Sequence, residues 1–69
     1  MPVELDKIYE RIKNLRKQKG FSILKLSVES GISRSHLFYI ESKRISPSIE
    51  TLYKIATALD VRIIDFFQD

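Results

Sequence analysis

The chain has 69 residues, no cysteine and a formal charge of +3. That length allows one small domain, residues 1–69, with a modest core and no deep catalytic cleft. The lack of cysteine excludes disulfides and thiolate metal sites and fits a cytoplasmic protein. No run approaches the roughly 20 apolar residues of a membrane helix, and the acidic opening Met1-Pro2-Val3-Glu4 is unlike a signal peptide, so no membrane partner is expected.

The charges are unevenly placed. Lys7, Arg11, Lys13, Arg16, Lys17 and Lys19 crowd one early segment, and Lys43 and Arg44 sit together mid-chain. Acids gather at the ends, as Glu4, Asp6, Asp60, Asp65 and Asp69. A mild basic excess favours a polyanion without establishing one, and the early run by itself reads as a solvated helix face.

The pattern is helical throughout. Leu5, Ile8, Ile12 and Leu15 recur at offsets of three and four and form one apolar stripe, with the basic residues off it. Gly20 is placed to end this first helix, with lysines in its last turn where the helix dipole favours them. Ser22 can cap a second helix running to about Ser30, with Leu26 inward and Phe21 anchoring its start. Gly31 can take a positive φ and turn the chain sharply. Ser33 then caps a third helix to about Ser42, whose apolar face is Leu37 and Ile40. Lys43 to Ser46 reads as a loop, and Pro47 suits the first turn of a fourth helix capped by Ser46 or Ser48. That helix carries Ile49, Leu52, Ile55, Ala56 and Leu59. Val61, Ile63, Phe66 and Phe67 suggest a fifth, at about 62–68.

Helix, glycine turn, helix across residues 22–42 is the arrangement that can present its second helix to a DNA major groove. The groove is about 12 Å wide and admits one helix. Residues early in that helix then reach base edges: Ser33, Arg34 and Ser35, with Tyr39 about one turn later. Arginine can donate two parallel hydrogen bonds to guanine O6 and N7, and serine can serve a base or a phosphate.

The ordered segments Arg11-Ile-Lys-Asn-Leu-Arg16, Gly20-Phe-Ser22, Leu26-Ser27, Gly31-Ile-Ser-Arg34, Ile40-Glu41, Pro47-Ser-Ile-Glu-Thr-Leu52, Ile55-Ala56 and Leu59-Asp-Val61 resemble the phage-repressor (Xre/Cro type) family of bacterial regulators. The resemblance runs from about Ile8 to Phe67. It implies an all-α, compact five-helix bundle of the lambda-repressor-like type whose third helix enters the major groove. By the same resemblance Arg34, Ser35 and Tyr39 fall at base-reading positions, and Ser33 near a phosphate. Arg16 and Glu41 match a family ion pair, consistent with the need of a partly buried glutamate for a partner.

Three departures from the family pattern bear on this. Ile23 stands where a glutamine usually touches phosphate, leaving Ser22 and the backbone amides of that helix end to do so. Ser27 stands in place of alanine, small enough to fit, its hydroxyl suited to bonding back to a carbonyl. Lys43 replaces a glycine after the third helix, at some cost in turn freedom, and adds a cation beside Arg44 where a phosphate would lie. His36 is either a bystander or a pH-sensitive DNA contact. Phe38 either meets a thymine methyl or packs on the first helix. Ile64 and Phe67 either form a dimer interface, with Tyr53 near them, or complete the core.

One histidine, no cysteine, scattered acids and no phosphate loop or metal-ligand spacing exclude an enzyme, a cofactor and a metal site from the expectation. The function expected is a sequence-specific transcriptional regulator, a homodimer on a palindromic operator in double-stranded DNA. It would repress by occupying a promoter, or activate by touching RNA polymerase as standalone restriction-modification controllers do. The alternative is a protein-binding module, an antitoxin or adaptor, using the apolar C-terminal patch.

Overall fold

Serine hydroxyls begin three of the helices. Ser22 Oγ accepts the Lys25 N–H at 3.0 Å, Ser33 Oγ that of His36 at 3.1 Å and Ser48 Oγ that of Thr51 at 3.1 Å. Each satisfies an amide that has no partner within its helix. The resulting elements, in a computed structural model describing residues 3–68, are α1 (Val3–Gln18), α2 (Ile23–Ser30), α3 (Arg34–Glu41) and α4 (Ile49–Leu59). Met1 and Pro2 of the acidic opening, and Asp69, lie outside the described residues.

The helix starts refine the sequence reading at α4. Ser48 is the cap, held by a second bond from its O–H to Thr51 Oγ1 at 3.0 Å. Pro47 therefore lies outside the helix and not in its first turn.

Helix ends follow the left-handed backbone. Gly20 and Gly31 both have φ of +75°. At Gly20 paired bonds close α1: Gly20 N–H to Lys17 O and Phe21 N–H to Arg16 O, each 3.0 Å. The same paired closure ends α3 at Lys43 (φ +67°) and α4 at Asp60 (φ +58°), residues that lack glycine's freedom there.

The fifth expected helix is a single 3-10 turn, Ile63–Phe66. Its bonds span three residues, Asp65 N–H to Arg62 O and Phe67 N–H to Ile64 O, both 2.9 Å. The Asp65 carboxylate accepts the Arg62 N–H at 2.9 Å, so the turn is capped as it begins. A four-residue segment cannot repay helix nucleation by extension. What it achieves is the complete burial of Phe66.

The core is assembled from every helix: Tyr9, Ile12 and Leu15 of α1, Leu26 of α2, Leu37 and Ile40 of α3, Leu52, Ile55, Ala56 and Leu59 of α4, closed by Ile32 and Phe66. On α1 the buried stripe is rotated from the one the sequence suggests. Tyr9 is buried, while Leu5 and Ile8 pack at the margin. Arg11 pins the 3-10 turn to α1 through a hydrogen bond from Nε to Asp65 O, 3.1 Å. No helix among the described residues is long and apolar enough to cross a membrane.

Candidate nucleic-acid interface

The turn between α2 and α3 is closed by side chains as well as by Gly31. Ser27 Oγ donates to Ile32 O at 2.6 Å, and Ser30 Oγ accepts the Ile32 N–H at 3.2 Å. Both backbone groups of a buried residue are thus satisfied by hydroxyls of the preceding helix. The Ser27 bond reaches forward across the turn, not back along α2. Ser30 carries no signal in the sequence beyond its place before Gly31.

On α3, Leu37 and Ile40 face the core and the opposite side is open. Arg34 and Ser35 are exposed, as are Phe38 and Tyr39, and His36 is half-buried. Arg34, Ser35 and Tyr39, the expected base readers, are thus presented together. They line one shallow hollow with Phe38 and with Ser22, Ile23 and Leu24 at the start of α2. The Tyr39 ring meets Phe38 edge-on, centroids 6.0 Å apart.

The expected phosphate ligands divide. Ser22 and Ser33 cap α2 and α3, where free amides and the helix dipole favour an anion. Their oxygens accept backbone N–H groups, which leaves each O–H to donate outward. Arg44 is exposed on the turn that ends α3. Lys43 is directed elsewhere: its ammonium lies 3.2 Å from Glu10 and 3.9 Å from Asp6 of α1. A phosphate contact from Lys43 requires giving up those carboxylates, so its place in the phosphate set is the weakest of the four.

The expected ion pair forms. Arg16 Nε and Nη2 reach the Glu41 carboxylate oxygens at 2.6 and 3.0 Å, and Nη1 donates to Phe21 O at 2.7 Å. Both side chains are about nine-tenths buried. One guanidinium therefore joins α1, the approach to α2 and the last turn of α3. Ile23 is partly buried against the core, an anchor of the α2 start that touches apolar neighbours and has no polar group to offer a phosphate.

Ile64 and Phe67 are not core residues. They are 44% and 51% exposed, and Phe66 fills the interior in their stead. Ile49 and Tyr53, one turn apart on α4, are exposed as well, at 69% and 61%.

A helix-turn-helix family model (HTH_3) matches residues 12–66. The HTH-type transcriptional regulator SutR of Escherichia coli is 42% identical over 55 residues, covering 80% of this chain and 31% of that protein. The regulator SinR of Bacillus subtilis is 40% identical over 57 residues, covering 81% of this chain and 51% of its own length. The chain thus spans about a third to a half of these curated relatives. The crystal structure of the restriction-modification controller protein C.AhdI from Aeromonas hydrophila superposes with a TM-score of 0.88 at 33% identity, covering 96% of this chain and all of that one. The match to the family model spans α2, the Gly31 turn, α3 and the buried Arg16–Glu41 pair: the chain belongs to the helix-turn-helix (HTH_3) family.

Proposed function

We propose that the chain regulates transcription by binding a palindromic operator as a homodimer, with α3 of each copy in the major groove. The observation that carries this reading is the joint presentation of Arg34, Ser35 and Tyr39 beside two serine-capped helix N-termini. Base-edge donors and anion-binding helix ends on one face are what a major-groove reader requires. Arg34 and Ser35 contact bases, with Tyr39 one turn on. Ser22, Ser33 and Arg44 contact phosphates, and Lys43 joins them only on leaving Glu10 and Asp6.

The exposed Ile64 and Phe67, three residues apart in the 3-10 turn and at its C-cap, support a two-fold contact between copies, since apolar side chains left exposed together mark interaction surfaces. Two-fold symmetry sets the recognition helices about 34 Å apart, one turn of DNA. The reading is of a non-enzymatic protein acting in the cytoplasm of a bacterial cell. An activating mode, in which the bound chain touches RNA polymerase, is the alternative to repression by occupying a promoter.

Amide chemical shifts followed during titration with a DNA duplex at low salt test the interface. Perturbations at residues 22–24, 33–39 and 44 are expected. Shifts confined to α4 and the 3-10 turn, or none, would favour the protein-binding module instead.

A further inference from the structure

The exposed face of α3 is not uniformly polar. Phe38 is 58% exposed although it belongs to the same face as Arg34, four residues earlier on α3. The Phe38 side chain lines two hollows. One is shared with Arg34, Ser35 and Tyr39; the other is lined by Lys13, Arg16, Glu41 and Ser42. Ile23, partly packed on the core, lines both hollows with it. An exposed aromatic ring, with an aliphatic residue lining the same hollows, is an apolar surface beside Arg34 and Ser35.

Major-groove chemistry offers one apolar group to such a surface, the C5 methyl of thymine. We infer that Phe38, with Ile23 lining the same hollows, reads a thymine methyl near the base pair contacted by Arg34. The inference rests on the DNA-binding reading and adds to it a specificity-determining residue. Helix geometry also fixes where the thymine lies. Four residues of α-helix rise about 6 Å, and successive base pairs are spaced about 3.4 Å apart. The thymine therefore falls one or two base pairs from the guanine that Arg34 contacts.

Deoxyuridine removes that methyl and leaves Watson–Crick pairing intact. The experiment takes the site recovered by selection from random DNA and replaces each thymine in turn by deoxyuridine. Affinity is measured for the full chain and for Phe38→Ala and Phe38→Leu. Removing one methyl-sized group from an apolar contact weakens binding about fourfold. That loss is expected at one position per half-site, one or two base pairs from the base pair relaxed by Arg34→Ala. Phe38→Ala should be indifferent to the replacement, and Phe38→Leu, which keeps an apolar surface, should retain part of it. Deoxyuridine tolerated at every position, or an equal loss in the full chain and Phe38→Ala, overturns the inference alone. A chain that selects no sequence overturns the DNA-binding reading and the inference with it.

Discussion

The guanidinium of Arg16 on α1 grips the carboxylate of Glu41 at the end of α3 through two hydrogen bonds of 2.6 and 3.0 Å, both groups almost out of water. Breaking such a pair from one side strands a charge in a site that cannot hydrate it. Arg16→Ala should therefore lower stability by about 3 kcal/mol, and Glu41→Gln by about half that, since the amide keeps one acceptor. For 69 residues the total stability is on the order of 3–10 kcal/mol, so Arg16→Ala brings the domain near unfolding. Urea denaturation measures both variants, and a loss under about 1 kcal/mol for Arg16→Ala would show that the pair does not carry the contact between α1 and α3. Replacing both partners together, as Arg16→Met with Glu41→Leu, should restore most of the loss.

Lys43 and Arg44 are adjacent and make opposite predictions. Lys43 is held at φ +67°, a conformation that costs an L-residue about 1 kcal/mol, against an exposed ion pair contributing well under that. Lys43→Gly should raise stability by about 0.5 kcal/mol in urea denaturation and leave the salt dependence of DNA binding nearly unchanged. Arg44→Ala should flatten the slope of log affinity against log salt by about one. A flatter slope for Lys43→Gly would show that Lys43 leaves Glu10 and Asp6 for a phosphate.

The division between what could be read early and what could not is local against long-range. Ser22, Ser33, Gly20 and Gly31 were legible because a cap or a left-handed turn is decided within four residues. The Arg16–Glu41 pair was legible only through the family pattern, because 25 residues separate the partners. Tyr9 was missed because Leu5, Ile8, Ile12 and Leu15 already form a complete stripe. Only the direction from which α3 and the 3-10 turn pack shows that the buried face is rotated. The final helix was overestimated for a related reason: Ile63 and Phe66 have helical spacing, but the Asp65 cap and the burial of Phe66 are met by one turn. At Ser46 and Ser48 two equivalent caps flank Pro47, and the choice lies in the reach of Ser48 to Thr51. The exposed face of α3 is legible in its polar members, whereas the exposure of Phe38 depends on how the helices pack.

Arg34 is exposed and free of protein ion pairs among the described residues, so its removal should act on binding and not on folding. Arg34→Ala is expected to weaken the specific site by about 1 to 3 kcal/mol and to relax preference at one base pair, while binding to unrelated DNA changes less. Fluorescence anisotropy on both duplexes makes the comparison. An equal loss on all sequences would place Arg34 on the backbone.

Ile64→Asp puts a charge where half of an apolar side chain is exposed and Phe66, not Ile64, fills the core. If the proposed homodimer forms through this face, the variant should stay folded by circular dichroism and sediment as a monomer at concentrations where the unaltered chain sediments as a dimer. A dimer that survives the substitution would remove this face from the interface.

Selection of bound duplexes from a random pool decides whether α3 reads a particular DNA sequence. An enriched site with two-fold symmetry is expected, with half-sites about one helical turn apart and in each half a guanine whose preference disappears with Arg34→Ala. A pool that remains random after repeated rounds, with the chain folded throughout, would contradict it.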